Sequence, residues 1–190
     1  MTAYADIAVA VLAAGQSKRF GSNKLIADLD GRPIGLHILQ TLAEMGFGWR
    51  FVACPPHSPL EPYYSASGFA IVINESPEKG QARSLHLAVG AALPTDAKAL
   101  LVVLADMPFV TSDHIAELVA AYDGNIVATF DGSAPMPPAI FPREVWPTLL
   151  ATTGDAGARG LLRGAKLVAA SPAELRDIDE PADLRETPSR

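Results

Sequence analysis

The sequence has little of what several large protein classes require. A single cysteine, Cys54, stands among 190 residues, which excludes an internal disulfide framework and any metal site built from several cysteines. No apolar run approaches the roughly 18 residues that a membrane-spanning helix needs. The first residues also lack the basic region of a secretory signal. These features predict a soluble, cytoplasmic protein, in which Cys54 is a packing residue.

Basic residues are scarce as well. The chain has 15 Lys and Arg against 21 Asp and Glu, a net charge of −6, which argues against a general binder of nucleic acid or of membrane surfaces. The four histidines form no i, i+4 pair and no HExxH motif, so a histidine metal site is not expected. No serine lies in a GxSxG elbow, which removes the main hydrolase interpretation.

The sequence does have apolar material, arranged in short runs. Hydrophobic residues make up 49% of the chain, enough to bury a core. Continuous runs that resemble buried parallel strands lie at residues 7–12, 50–54, 70–74, 99–105 and 125–130. Helical patterns lie between or after them, at residues 33–45, 84–93, 111–122, 144–150 and 158–162. This alternation predicts a three-layer α/β fold around a mostly parallel sheet, with one domain over residues 1–185 and a polar tail at 186–190. The proline-rich residues 55–62 are predicted to form a surface loop.

The loop after the first strand, LAAGQSKRFGSNK at residues 12–24, is the most informative segment. Ligands of parallel sheets collect at the carboxyl ends of strands. Small residues here let a ligand approach the main chain, and Gly15 and Gly21 permit positive φ angles. Arg19 can bind phosphate oxygens bidentately, whereas Lys24 acts as a point charge. The segment therefore predicts a triphosphate site.

Neither common phosphate-binding fingerprint explains this loop. A Walker A motif needs lysine directly after its second glycine, and Ser22 occupies that place. The dinucleotide pattern GxGxxG also fails, because Gly15 and Gly21 are six residues apart. A basic surface turn that binds nothing is the alternative from loop chemistry alone.

Asp106 follows a buried apolar run and precedes Met107-Pro108. A carboxylate in that place needs a partner, and Mg²⁺ accepts carboxylate and phosphate oxygens as ligands. Opposite a triphosphate loop, Asp106 is predicted to hold a Mg²⁺ ion that bridges the α-phosphate and the leaving group. Two alternatives stay open: Asp106 caps the next helix, or it pairs with Lys24.

A second carboxylate would improve this metal site. The candidates are Asp155, Asp177 and Asp179. Asp155 could equally cap a helix that begins near residue 156, and Asp179 could form a turn before Pro181. In residues 74–85, NESPEKGQARSL, Gly80 gives the loop freedom and Ser84 is predicted to cap the following helix.

The order of these motifs resembles that of a known family. The loop pattern LAAGxSxRFGxxK is followed by GRPI, NESPEKGQARSL, LADMPFV, PPAIF, GDAGAR and DIDEPADL, in register over about 175 residues. This series is similar to that of the MobA-like nucleotidyltransferases, and specifically of their molybdenum cofactor cytidylyltransferase branch. Ala14 and Asn23 stand where the guanylyltransferase branch usually has Gly and Asp. The chain departs from the pattern at Glu180, where Thr is usual, and at residues 136–138, MPP, where G-H-P is common.

The resemblance implies a Rossmann-like fold of the nucleotide-diphosphosugar-transferase type. It implies Mg²⁺-dependent transfer of CMP from CTP to molybdopterin, with release of pyrophosphate, and a molybdenum hydroxylase of the xanthine dehydrogenase type as the protein served. Arg19, Lys24 and Asp106 would be catalytic, Asp106 and Asp179 would bind metal, and residues 136–138 would face the acceptor. The predicted nucleotide-binding residues are Leu12, Ala13, Ala14, Gly15, Arg19, Lys24, Asn74, Gly80, Ser84 and Asp106.

Other interpretations remain beside this one. An enzyme of the same fold could act on another phosphorylated acceptor, transferring from GTP to the molybdenum cofactor or to a sugar phosphate. The fold could also belong to an oxidoreductase that uses the loop for a pyridine nucleotide. A non-catalytic carrier that hands the cofactor to a hydroxylase is the remaining alternative.

Overall fold

One seven-stranded sheet forms the centre of the molecule. The computed structural model describes residues 3–15, 20–21, 23–154, 158–176, 178 and 183. The strands are β1 (Ile7–Leu12), β2 (Asp28–Leu29), β3 (Arg32–Pro33), β4 (Trp49–Cys54), β5 (Ala70–Ile73), β6 (Ala99–Leu104), β7 (Val127–Phe130), β8 (Pro135–Pro142) and β9 (Lys166–Ala169). The helices are α1 (Ile34–Ala43), α2 (Glu61–Ala66), α3 (Gln81–Ala92), α4 (Ser112–Ala121), α5 (Trp146–Leu150) and α6 (Arg159–Leu162).

The sheet has the strand order β5-β4-β1-β6-β8-β7-β9, while β2 and β3 form a separate small hairpin. All neighbouring strands of the sheet pair in parallel except β8, which is antiparallel to both β6 and β7. Every residue of β1 is buried, because helices cover both of its faces. This explains why the strand reads in sequence as a continuous apolar run.

The helices form a layer on each face of the sheet. One core cluster joins apolar residues of α1, α2 and α4 to the sheet, and a second joins those of α3, α5 and α6. Side chains of β1 alternate between the clusters: Val9 and Val11 belong to the first, and Ala8 and Ala10 to the second. The molecule therefore has the predicted three-layer α/β architecture.

The predictions miss the β2–β3 hairpin, β8 and β9, and they are incomplete at residues 55–62. Residues 55–62 are not wholly loop, because α2 begins at Glu61 and places Pro62 in its first turn, where proline is tolerated. Sequence reasoning also missed β8, which has four prolines in eight residues and yet lies inside the sheet. Its ladder with β6 uses only its second half, from Ala139 to Pro142, where Ala139, Ile140 and Phe141 retain their N–H groups.

Two further predictions concern the chain ends and membranes. The tail predicted at residues 186–190 lies outside the described residues. Across the described part of the chain, the helices are too short and too polar for any of them to traverse a bilayer.

Candidate functional site

The topology brings two chemically important loops together at the carboxyl edge of the sheet. From β1 the chain proceeds to β4 and β5 on one side and then returns to β6 on the other side, so the strand order switches between β1 and β6. Leu12 and Leu104 are register partners, and the Ala105 N–H donates to the Leu12 carbonyl at 3.0 Å. Such a switch point is where open α/β sheets bind ligands.

The loop after β1 begins as a buried, tightly bonded segment. Leu12, Ala13 and Ala14 are all buried, and the Ala13 N–H donates to the carbonyl of Ala53 in β4 at 2.7 Å. Gly15 is exposed, and a Cβ placed on it would meet no described atom within 4 Å, which leaves room for a ligand against the main chain. Of the two glycines that permit positive φ angles, Gly21 adopts one, at +74°, and Gly15 does not.

Lys24 and Asp106 form an ion pair at this edge. Lys24 opens a 3-10 turn whose first N–H groups are capped by Asn23, since the Asn23 Oδ1 atom accepts from the Leu25 N–H at 3.1 Å. Leu25 is buried in the core next to it and holds the turn inward. The Lys24 Nζ atom lies 2.7 Å from Asp106 Oδ2, with 10% and 25% of the two side chains exposed.

The surroundings of Asp106 test the two alternatives to a metal ligand, a helix cap and a partner of Lys24. Asp106 does not cap α4, because Thr111 is the cap residue and its Oγ1 atom accepts from the His114 N–H at 3.2 Å. The pairing of Asp106 with Lys24 is present. A carboxylate with a quarter of its surface exposed beside an ammonium group can still offer oxygen to a hard cation, while the ammonium can bind phosphate.

Residues 74–84 form the second predicted nucleotide segment. Asn74 follows β5 and is fully buried; its Nδ2 atom donates to Ser84 Oγ at 2.9 Å, and its Oδ1 atom accepts from the Ser76 N–H at 3.0 Å. Gly80 has φ +82° and precedes α3. Ser84 is not a helix cap as predicted, because α3 already begins at Gln81 and Ser84 lies inside its first turns. Asn74 and Ser84 therefore fix each other within the loop.

Several predicted site residues fall outside the described residues: Arg19, Asp155, Asp177 and Asp179. The chain just before Asp155 is described, and the Gly154 carbonyl accepts from the Ala82 N–H of α3 at 3.2 Å. Within the described ranges, no three His, Cys, Asp or Glu side chains group closely enough to hold a metal ion.

Four polar residues near this edge were missed as a group. Thr111, His114, Thr129 and Glu174 are linked by hydrogen bonds between α4, β7 and the turn after β9. The sequence carries one signal for them, because helical spacing places His114 on the same face as the apolar Ile115 and Leu118. Cys54 is buried as predicted, and burial together with the charge of Glu61 raises the pKa of its thiol to about 11.

The loop between β6 and α4, residues 105–111, is here called the Asp106 loop. A cleft of about 930 Å³ lies beside the second half of this loop. It is lined by residues of the β2–β3 hairpin, by the outer face of α1 and by Pro108, Phe109, Val110, Thr111 and Ser112. Neither Lys24 nor Asp106 lines it. The cation and the carboxylate described above thus face a different part of the carboxyl edge.

Comparisons with known proteins agree with this geometry. Residues 9–172 match the model of the MobA-like NTP transferase domain. The chain belongs to this nucleotidyltransferase family. It is 34% identical over 187 residues to the purine catabolism protein PucB of Bacillus subtilis (strain 168), covering 90% of this chain and 91% of that one. The predicted resemblance is confirmed for the family, and the cytidylyltransferase branch remains a prediction.

Further comparisons bear on the fold, and one of the similar proteins has been solved with a metal. A probable molybdenum cofactor guanylyltransferase of Pyrococcus horikoshii is 28% identical over 116 residues, 61% of this chain and 56% of that protein. The crystal structure of Rv0371c from Mycobacterium tuberculosis H37Rv has a TM-score of 0.79 at 22% identity, over 94% of this chain and 95% of that one. The same mycobacterial protein has also been solved in complex with manganese. These likenesses confirm the predicted fold class.

Proposed function

We propose that this nucleotidyltransferase transfers CMP from CTP to the terminal phosphate of a molybdopterin-type molybdenum cofactor. A phosphate oxygen of the acceptor attacks the α-phosphorus of CTP, the bond from that phosphorus to the oxygen bridging to the β-phosphate breaks, and pyrophosphate leaves. The observation that carries the proposal is the Lys24–Asp106 pair at the β1–β6 switch point, 2.7 Å between Nζ and Oδ2. To position reacting phosphates, an enzyme needs a cation that binds phosphate oxygens and a carboxylate that can hold a metal, close together.

The residues act by binding and by neutralising charge rather than by covalent chemistry. Lys24 is buried, with 8% of the whole residue exposed. Its ammonium group would therefore interact with a bound phosphate in surroundings that screen charge far less than water does. The main chain from Ala13 to Gly15 would lie against the nucleotide, because the small side chains there leave the backbone accessible. Arg19, on the same loop, would bind the β- and γ-phosphates bidentately.

A divalent metal fits the donors at this edge, and Asp106 would hold it. One carboxylate oxygen of Asp106 contacts Lys24, which leaves the other for a hard cation that keeps phosphate oxygens and water in its remaining positions. Asp179 would be the second protein ligand. When bound, the metal would supply charge neutralisation at the α-phosphate. We propose Mg²⁺ as the ion, and the manganese complex of the mycobacterial protein supports a divalent metal in this fold.

The donor base and the acceptor rest on the sequence resemblance and on the relatives. Ala14 and Asn23 stand where the guanylyltransferase branch has Gly and Asp, which favours CTP. One relative is named as a purine catabolism protein and another as a probable molybdenum cofactor guanylyltransferase. Xanthine is a purine, so both names suit an enzyme that completes the molybdenum cofactor for a hydroxylase of the xanthine dehydrogenase type.

The test is pyrophosphate release from CTP, GTP, ATP and UTP, each with Mg²⁺ and molybdopterin. We expect release that requires both metal and acceptor, with kcat/KM for CTP about tenfold to a hundredfold above that for GTP. A higher value for GTP would move the chain to the guanylyltransferase branch. Release only with a sugar phosphate would replace the acceptor, and no release with any acceptor would favour the carrier.

A further inference from the structure

The amino end of β8 contains an irregularity that the sequence explains. Pro137 and Pro138 are consecutive and lack N–H groups, so neither can donate to a neighbouring strand. The β7–β8 register accordingly shifts here: Ala128 pairs with Ala139, but Thr129 pairs with Met136, and both prolines are passed over. Pro138 is buried, so its carbonyl needs a donor from inside the protein. Bulges of this kind re-aim a strand, often beside an active site.

Two buried side chains supply and orient that donor. The Thr129 hydroxyl donates to the Pro138 carbonyl at 2.8 Å, and the Thr129 Oγ1 atom lies 2.8 Å from His114 Nε2. Because the single hydroxyl proton is used on Pro138, Thr129 accepts from His114, and the imidazole proton is on Nε2. Thr129 is fully buried and His114 is 2% exposed. Water therefore does not compete for these bonds.

The same histidine reaches the Asp106 loop through its main chain. The His114 N–H donates to Thr111 Oγ1 at 3.2 Å, and the Thr111 hydroxyl donates to Glu174 Oε1 at 2.6 Å. Glu174 Oε2 in turn accepts from the Ser171 N–H at 3.1 Å and from the Ser171 hydroxyl at 2.9 Å. One connected set of bonds thus joins the start of α4, the end of β7, the bulge of β8 and the turn after β9.

These segments lie on one side of Asp106. The loops after β1 and β5, which carry the nucleotide-binding candidates, lie on the β1, β4 and β5 side of the sheet, here called the nucleotide side. The amino end of β8 and the carboxyl ends of β7 and β9 lie on the opposite side, here called the acceptor side. An in-line transfer brings the attacking phosphate oxygen to the α-phosphorus from the side opposite the leaving pyrophosphate. The acceptor would then lie over the bulge of β8.

We propose that His114 is a positioning residue for the phosphorylated acceptor: through Thr129 its side chain fixes the main chain at Pro138, while its main-chain N–H is anchored at Thr111, after the loop that carries Asp106. The inference rests on the proposed nucleotidyl transfer and adds a determinant of acceptor binding to it. His114 touches no reacting atom, and its side chain acts only through Thr129.

The experiment compares three substitutions by steady-state kinetics with CTP, Mg²⁺ and molybdopterin. His114→Leu and Thr129→Val break the bonds to the β8 bulge, whereas His114→Gln keeps a side-chain N–H donor close to the Nε2 position. We expect KM for molybdopterin to rise about tenfold in the first two, the loss that corresponds to one buried hydrogen bond, with KM for CTP unchanged. His114→Gln should recover most of the loss. A merely structural role would not separate the two KM values.

A second histidine serves as the matched control. His86 is half-buried in α3 on the nucleotide side, where its Nε2 atom lies 3.2 Å from Thr152 Oγ1. His86→Leu should leave KM for molybdopterin unchanged. Equal effects of His86→Leu and His114→Leu on that constant would overturn the proposal, as would a wild-type KM for molybdopterin in His114→Leu.

Hydrogen exchange separates a failure of this inference from a failure of the proposed function. Amide exchange over residues 136–141 should accelerate at least about fivefold in His114→Leu and stay at the wild-type rate in His114→Gln. If the wild-type chain transfers nothing to molybdopterin, the proposed acceptor fails, and the exchange result still decides on His114. Unchanged exchange over residues 136–141 in His114→Leu would overturn the positioning role.

Discussion

The two sides of the sheet are built on different principles. On the nucleotide side, small buried residues lead to the edge of the sheet, as with Ala10, Ala13, Ala14 and Ala53. Buried polar bonds occur on both sides: one joins Asn74 to Ser84 on the nucleotide side. On the acceptor side they run from His114 through Thr129 to Pro138 and join three elements. The first arrangement is sensitive to added atoms, since close-packed interiors have little spare volume. The second is sensitive to removed atoms, since an unpaired buried polar group is costly.

The difference follows from what each side has to accommodate. A triphosphate that lies against the main chain needs small residues near Gly15, so the nucleotide side has few large side chains there. On the acceptor side, consecutive prolines in β8 remove two donors from the sheet and shift its register, and the Thr129 hydroxyl donates to the carbonyl of Pro138. Substitutions on the two sides should therefore fail in different ways.

The largest effect is expected at Asp106, on the boundary between the two sides. Asp106→Asn keeps the size of the side chain and removes its charge, so kcat for pyrophosphate release should fall roughly a thousandfold. Binding of CTP without metal should persist, because Lys24 and the β1 loop are unchanged. The control is Asp113→Asn, an exposed carboxylate of α4, which should keep wild-type turnover. Near-normal turnover in Asp106→Asn would leave only the ion pair with Lys24 as its role.

The sequence predicted the two sides of the sheet to different extents. Apolar runs located β1, β4, β5, β6 and, on the acceptor side, β7, and helical spacing located α4. The loop chemistry located Lys24 and Asp106, because these signals are local. The pairing of Lys24 with Asp106 was one of several open alternatives, since it joins residues 82 positions apart.

Two strands of the acceptor side, β8 and β9, were not predicted, and the reasons are physical. β8 has prolines where a strand needs donors, and β9 is a short strand of mostly exposed residues with an apolar run of only four residues, Leu167 to Ala170. The link between His114 and Thr129 joins two elements that only the folded sheet brings together. Local patterns carry no information about such a contact.

The next effect tests the close packing of the nucleotide side. A Cβ on Gly35 of α1 would lie 2.9 Å from Leu60 Cδ1, 3.1 Å from Leu25 Cβ and 3.2 Å from the Tyr64 hydroxyl. Leu25 follows Lys24 directly, so Gly35→Ala should move the lysine as well as strain the core. We expect a loss of about 1–3 kcal/mol in the free energy of unfolding and weaker binding of CTP.

Gly90 provides the matched control for Gly35. It is an exposed glycine inside α3, and a Cβ there would meet no described atom within 4 Å. Gly90→Ala should raise the free energy of unfolding by about 0.5–1 kcal/mol, because alanine is the better helix former. Denaturant unfolding and CTP titration of both variants make the comparison. Unaltered stability and CTP affinity in Gly35→Ala would show that the nucleotide side is more loosely packed than these distances indicate.

The smallest effect is an acid sensitivity of the acceptor side. Burial lowers the pKa of the His114 imidazole below its ordinary 6.5, against smaller opposing effects of the Glu174 and Glu117 carboxylates. A second proton would sit on Nδ1, which has no hydrogen-bond partner among the described residues. The unfolded chain therefore binds this proton more readily than the folded one, and stability should fall as the pH drops below about 6.5. One proton gives a slope of at most about 1.4 kcal/mol per pH unit.

The Glu174 carboxyl is a second titrating group on the acceptor side. It stabilises the fold in its charged form, and it titrates at a lower pH than His114 does in the unfolded chain. The hydrogen bond from Thr111 is the main cause that lowers the pKa of the Glu174 carboxyl below its ordinary 4.5, so its contribution to stability is complete above that pH and is lost below it. Free energies of unfolding measured between pH 7.5 and about pH 4 should show both ranges in the wild-type protein. His114→Gln should flatten the range just below pH 6.5 and leave the lower one, while Glu174→Gln should do the reverse. If His114→Gln keeps the wild-type slope between about pH 6.5 and pH 5, the histidine is not buried in the neutral form and the polar bonds of the acceptor side are weaker than their distances imply.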